Sequence, residues 1–357
     1  MLEVRAEPVV ATAVADHIAL ASTTYSDPLA LNTDHFWWKH GLGPAGRSTS
    51  INLYDGGKIV GRSVIQPRLF RVDPQTLCRA GLVVDLMLAP THRSAVNFMA
   101  IVRGQSKVPD LDVLLHTSNE TSDPLYRKFL RYPVAFNLKA YGFPIRAHRI
   151  ASKLLNRQMP KGLEALFAPW RMALRGAETL AKSLTGLRME AGLPSEREFD
   201  EIMRGFRAAA GPHLERSRAF LEWRFQQGPF HFGNFVTFRS DQQALGYFVW
   251  RKVRLEGLEF LVLMDIAITQ PATRGLRYAL WLELTRLAIA EEADVVFTMI
   301  NPENPLLGSF VGGPLLAIPD DRLPHPTPIF MLPKTDDLAW LRGHGSTYMT
   351  LADIDYF

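Results

Sequence analysis

One cysteine, Cys78, stands in 357 residues. No intrachain disulfide can form, which fits a reducing compartment. Cys78 precedes an apolar run and has no companion, so it reads as a small core residue rather than a nucleophile. No uncharged apolar stretch is long enough to cross a bilayer as a helix, which needs about 18 residues or more. The start, Met1-Leu-Glu-Val-Arg, lacks the basic flank and apolar core of a signal peptide. His35, His92 and His116 show no metal-ligand spacing, so no metal is expected. There is no Gly-x-Ser-x-Gly, Walker loop or dinucleotide fingerprint. These absences argue against a disulfide scaffold, a membrane-spanning chain, a serine hydrolase, a P-loop nucleotidase and a dinucleotide enzyme. The expected location is the cytoplasm.

What the chain does contain, it contains twice. Trp38-Lys39-His40-Gly41-Leu42-Gly43-Pro44 is echoed by Trp223-Arg224-Phe225-Gln226-Gln227-Gly228-Pro229. Asp85 followed by Pro90-Thr91-His92-Arg93 is echoed by Asp265 followed by Pro271-Ala272-Thr273-Arg274. Asn119 with Pro124-Leu125 is echoed by Asn301 with Pro305-Leu306. Arg93 to Asn119 is 26 residues and Arg274 to Asn301 is 27; Trp38 to Arg93 is 55 and Trp223 to Arg274 is 51. Three motifs in order at near-equal spacing suggest a duplication, with a period too long for a solenoid.

Each copy reads as a meander, a buried strand, a helix and a further strand. In the first, strands are expected at 50–54 and 58–68 around the turn signal Asp55-Gly56-Gly57. A buried strand at 80–88, a helix from about 94 to 104, a strand at 111–116 and a short helix at 124–131 follow. In the second, strands at 234–240, 244–253 and 258–268 precede a helix at 275–293 and a strand at 294–299. The expected fold class is α/β (α+β), with an N-terminal domain at 1–146, a helical basic insertion at 147–217 and a C-terminal domain at 218–357. Ser195-Glu196-Arg197-Glu198 matches a capping box inside the insertion. Nine Lys/Arg face two Glu between Arg146 and Arg188, and Arg146, Arg149, Lys153, Arg157 and Lys161 step at helical spacing. Such a stripe suits an acyl carrier protein or an anionic membrane surface. It allows a peripheral position at the inner membrane face. Nucleic acid is disfavoured, because the stripe is short and few aromatics interleave it.

The order of these elements, with Trp38-Lys39, Asp85, Pro90-x-x-Arg93, Asn119 and Leu125-Tyr126-Arg127-Lys128, resembles the GNAT acyltransferase family. It is most similar to the bacterial branch implicated in modifying amino sugars of surface polysaccharides. Two such domains in tandem also resemble, more distantly, FemX-like transferases. The resemblance covers roughly residues 30–146 and 218–333. It implies two tandem GNAT-like domains and an N-acyltransferase moving an acyl group from acetyl-CoA, another acyl-CoA or an acyl-phosphopantetheine carrier to a small-molecule primary amine.

The resemblance also implies a site. Tyr126 would protonate the departing thiolate and Asp85 would hold the acceptor ammonium or relay its proton; a structural ion pair of Asp85 with Lys39 or Arg93 is the competing reading. Backbone groups of Met87 and Leu88, with Arg93, Ser94 and Asn119, would hold the donor in the first copy. Arg274, Gly275 and Arg277 would do so in the second. Trp37, Lys39 and His40 would line the acceptor cleft. Both phosphate loops depart from the family pattern of small residues: Val96 and Phe98 stand in the first, Arg277 in the second, and Leu307 stands where Tyr126 would recur. Val96 and Phe98 are expected to crowd the first loop. Two competing readings remain: a FemX-like aminoacyl-tRNA-dependent transferase whose basic helices touch phosphates, and, from the departures in both loops, a catalytically inactive pair acting as a binding module.

Overall fold

The computed structural model describes residues 2–119, 121–154, 186–240, 243–312, 315–320 and 327–354. The described residues fall into two compact units. Unit 1 holds 1–137, 213–232 and 327–345; unit 2 holds 138–212, 233–326 and 346–357. These units do not follow the linear boundaries 1–146, 147–217 and 218–357, because segments are exchanged between the halves of the chain.

The sheet of unit 1 runs β1 (Glu3–Pro8), β2 (Thr49–Asp55), β3 (Lys58–Arg71), β4 (Leu77–Leu88), β5 (Val113–Thr117) and then β14 (Thr327–Pro333). β2, β3 and β4 form an antiparallel meander, turning at Gly56 and Gly57, whose positive φ values of 54° and 82° need no Cβ accommodation. β4 and β5 are parallel, joined through the helix α3 (Ala95–Ser106). β14 closes against β5 antiparallel, with Phe330 opposite His116. Helices α1 (Val14–Ser22) and α2 (Thr33–Gly41) complete the N-terminal part of the unit. Met87 packs with Leu20 and Ala21 of α1, whereas Leu86 and Leu88 pack with Phe98 and Val102 of α3. The two helical layers thus take opposite faces of β4.

Unit 2 has the same order. It begins with β6 (Phe136–Pro144), then β12 (Val295–Ile300), β11 (Leu258–Ile268), β10 (Gln243–Leu255), β9 (Asn234–Ser240) and β7 (Leu187–Ala191). β11 and β12 are parallel and β12 pairs antiparallel with β6. Two short strands are peripheral: β8 (His213–Leu214) pairs with β3, and β13 (Leu316–Ala317) with β6. The exchange is reciprocal. A strand from the C-terminal half, β14, finishes the sheet of unit 1, and a strand from the N-terminal half, β6, finishes that of unit 2.

The intervening region is not all helical. Helix α4 (Ala147–Leu154) is present, but β7 lies on β9 as an edge strand, where its alternating Arg188 and Glu190 tolerate solvent. The Ser195 capping box is formed and opens α5 (Glu196–Ala209), with Phe199, Ile202, Met203 and Phe206 buried. The remaining helices are α6 (Arg218–Phe225), α7 (Arg274–Ala290) and α8 (Pro305–Phe310). α6 lies in unit 1, so the echoed tryptophans meet: Trp38 Nε1 donates to Trp223 O at 3.0 Å and Trp223 Nε1 donates to Trp38 O at 3.2 Å. Their rings stack at 5.2 Å.

Candidate functional site

In unit 1 the ladder between β4 and β5 ends at Val83 and His116. Just beyond, β4 bulges. The register against β3 jumps between Arg62 and Val64, and Asp85 takes a φ of 51°. A non-glycine residue in that region is strained and needs surroundings that hold it there. Those surroundings are charged. Lys39 Nζ lies 3.0 Å from one carboxylate oxygen of Asp85 and His40 Nε2 lies 2.8 Å from the other, with Arg62 at 3.6 Å. Burial alone would raise the Asp85 carboxyl; Lys39, His40 and Arg62 outweigh it and hold it well below the usual carboxylate range. Burial lowers the pKa of His40 against the pull of Asp85.

This arrangement corrects two expectations. Lys39 and His40 do not line an acceptor cleft; both are buried and committed to Asp85. Asp85 in turn has both oxygens engaged, so the structural reading accounts for it and its role as holder of the acceptor ammonium falls away. Trp37 is half-buried under Arg47, apart from that cluster. Arg62 was missed, although an arginine within the apolar run of β3 signals a buried ion pair. It is 2% exposed and also donates to His17 O at 2.8 Å.

Tyr126 lies elsewhere. It sits in a single wide helical turn, Leu125–Phe129, closed by Leu130 N–H to Leu125 O. Its ring packs among Phe98, Val102 and Phe330, and burial raises its hydroxyl above the usual tyrosine range. Tyr126 and Asp85 share no hydrogen bond, and Leu86 beside Asp85 packs toward the Tyr126 cluster while Met87 packs away. Against Tyr126 stands His116, ring centroids 5.2 Å apart and edge to face. Spacing gave no reason to single out His116; its place at the last rung of the β4–β5 ladder does.

The first turn of α3 is where the phosphate loop is expected. Ser94 Oγ caps Asn97 N–H. Arg93 is exposed, with Nε donating to Leu88 O at 3.3 Å. Val96 and Phe98 do not crowd this turn as expected. Val96 is 77% exposed and Phe98 turns into the core. Asn119 is turned to local work, its carbonyl accepting from Thr121 N–H, Ser122 N–H and Ser122 Oγ. Burial pushes the Cys78 thiol up to about 12, which disfavours the reactive thiolate.

Unit 2 repeats the frame but fills it. Its ladder ends at Val262 and Phe297, and β10 and β11 shift register opposite Met264, next to Asp265. Beyond that rung Thr298 Oγ1 donates to Leu263 O. The C-terminal segment then runs in. Thr350 pairs with Ile300, Asn301 N–H donates to Met349 O, and Asn301 Nδ2 donates to Thr347 O. Thr350 Oγ1 donates to Asp265 at 2.8 Å and Tyr247 Oη lies 3.3 Å away. At the head of α7, Thr273 caps Leu276 N–H, Arg274 covers the Tyr278 ring and Gly275 is exposed. Arg277 Nη1 donates to Val311 O at 3.3 Å, and its Nε is buried without a hydrogen-bond partner among the described residues. In unit 1 no described segment pairs with β4 in the equivalent gap.

No family model and no curated protein matches the chain in sequence. Solved structures do match in shape. A GCN5-related N-acetyltransferase from Anabaena variabilis superposes with a TM-score of 0.59 at 10% identity, over 92% of this chain and 72% of that one. A tandem GNAT protein from the clavulanic acid biosynthesis pathway gives 0.52 at 10% identity, over 93% of this chain and 98% of that one. The fold is a tandem GNAT fold. Saccharomyces cerevisiae N-myristoyltransferase, solved with bound myristoyl-CoA, shares it at a TM-score of 0.54 and 11% identity, over 92% and 82%. The parallel pair β4 and β5 of unit 1 corresponds in order to β11 and β12 of unit 2. No described helix is long and apolar enough to cross a membrane.

Proposed function

We propose that the chain is an N-acyltransferase working from the open gap of unit 1, moving an acyl group from a phosphopantetheine thioester to a primary amine. The observation that carries this reading is the contrast between the gaps. β4 and β5 part with no described segment between them, while the C-terminal segment lies in the corresponding gap of unit 2. The unpaired edge of β4 from Asp85 to Leu88 offers backbone groups to the amides of an extended arm. The head of α3, with Arg93 and Ser94, favours the negative end of the donor.

The amine attacks the thioester carbonyl directly. Tyr126, kept protonated by burial, protonates the departing sulfur. Unit 2 serves in this reading as a structural partner, with its gap closed. Acyl-CoA is the favoured donor, because Val96 leaves the turn of α3 open; an acyl carrier protein shares the same arm. The acceptor class is an amino sugar or related envelope precursor, handled in the cytoplasm. A carrier protein or anionic lipid at the basic stripe is less supported. Arg146, Arg149 and Lys153 already pair with Glu292, Asp294 and Glu256, and Arg157 and Lys161 lie outside the described residues.

The test is amine-dependent thiol release from acetyl-CoA, longer acyl-CoA and acyl carrier protein, with amino sugars as acceptors. Release that requires the amine supports the reading. No release from any donor by folded protein overturns it.

A further inference from the structure

His116 is 1% exposed, and neither ring nitrogen has a hydrogen-bond partner among the described residues. Burial holds it neutral, its pKa brought down to about 3. Leaving a buried polar group unpaired destabilises a fold, and nothing among the described residues offsets that for His116. An apolar residue would fill the position better. The place is specific: His116 is the last residue of β5 still paired with β4, opposite Val83, where the gap opens. Its ring stands edge to face with Tyr126, and the ring of Tyr132 closes in at 6.1 Å. His116 thus ends the β4–β5 ladder where the gap opens, and its ring packs against that of Tyr126.

We propose that His116 is the catalytic base of acyl transfer, coupled to Tyr126 as a proton-return pair; this rests on the acyltransferase reading of unit 1. The amine nitrogen attacks the thioester carbon, forming C–N as C–S breaks. The proton lost by the amine goes to His116, and the departing thiolate takes the hydroxyl proton of Tyr126. The imidazolium then returns its proton to the Tyr126 phenolate after a side-chain shift that brings the two into contact, since neither ring nitrogen bonds the hydroxyl in the resting fold. Amine and thioester become amide and thiol, and both side chains are restored. The neighbouring phenolate compensates for the low basicity of the buried ring, because an opposite charge close by favours the imidazolium.

The test compares wild type with His116→Phe, His116→Gln, Tyr126→Phe and the double variant His116→Phe/Tyr126→Phe. Melting temperature, CoA binding by calorimetry and single-turnover thiol release are measured for each. His116→Phe is expected to melt no lower than wild type and to bind CoA equally, yet to slow transfer by about 10²–10⁴-fold. The double variant is expected to be no slower than the slower single variant, the mark of groups acting as a unit. A purely structural His116 would leave the rate unchanged in His116→Phe, and that result overturns the proposal. Multiplying losses in the double variant overturn the pairing. If His116→Phe misfolds, His116→Gln decides by the same rate criterion. A folded wild type that transfers nothing overturns the acyltransferase reading itself; an active wild type with an equally active His116→Phe overturns only the base.

Discussion

In unit 1 the carboxylate of Asp85 is met by an ammonium, an imidazole and a guanidinium; in unit 2 that of Asp265 is met by the hydroxyls of Thr350 and Tyr247. Both aspartates stand on the strand that pairs antiparallel behind and parallel ahead, as the duplication requires. The difference lies in what holds the gap. Unit 1 keeps its bulge in place with charge and leaves the edge of β4 unpaired. In unit 2 the C-terminal segment pairs its backbone with the end of β12 and Asn301, and sets the Thr350 hydroxyl on Asp265. One frame therefore supports an open gap or one filled by its own chain.

The sharpest way to break this comparison is chemical. Tyr126→Phe should leave folding intact and lower turnover by about 10²–10⁴-fold, whereas Leu307→Tyr in unit 2 should not restore it. Single-turnover thiol release decides. An unchanged rate in Tyr126→Phe would leave the ring as packing alone. Next comes stability. Asp85→Asn leaves Lys39 and Arg62 without their shared carboxylate and should cost about 3–5 kcal/mol. Asp265→Asn disturbs the bonds from Thr350 and Tyr247 and should cost roughly 1–3 kcal/mol. Denaturant midpoints at constant slope measure both, and equal costs would erase the electrostatic distinction between the units.

A third probe is pH. Burial lowers the pKa of His17 and His116, both in unit 1, to about 3 from an ordinary 6.5. The unfolded chain therefore binds protons at these rings between pH 6.5 and 3 while the folded chain does not. Stability present above 6.5 is lost as pH falls, with a slope approaching about two protons. Hydrogen exchange at mildly acid pH should show protection falling in β3, β4 and β5 before β10, β11 and β12. His116→Leu should flatten the slope. The smallest effect concerns the donor: Arg93→Gln should weaken CoA binding about tenfold through one lost charged contact. Arg274→Gln should leave it unchanged, and calorimetry that reversed this order would move the working gap to unit 2.

Much of the frame was legible because local pattern sets it. The Asp55-Gly56-Gly57 turn, the apolar runs of β4 and β11 and the Ser195 cap all depend on residues close in sequence. β1 and β7 were missed because edge strands carry charges, such as Glu3, Arg5, Arg188 and Glu190, that blur alternation. The exchange of β6 and β14 was illegible, since nothing within either strand names its distant partner. At the site, the ordered motifs pointed to Asp85, Arg93 and Tyr126. They did not show that Lys39 and His40 serve Asp85, that Phe98 turns inward, or that His116 lacks partners. Each of those depends on which way a side chain faces in the assembled sheet.

The exchanged strands also set a schedule. As the chain leaves the ribosome, β1 to β5 can assemble early, yet His116 must wait for Phe330 before its side of the sheet is closed. Until then β5 is an open edge, exposed to unwanted pairing for as long as the rest of the polypeptide takes to arrive. Neither half of the chain can be cut away as a finished module, because each carries a strand that belongs to the other. Each of the two units is complete only when both halves of the chain are present.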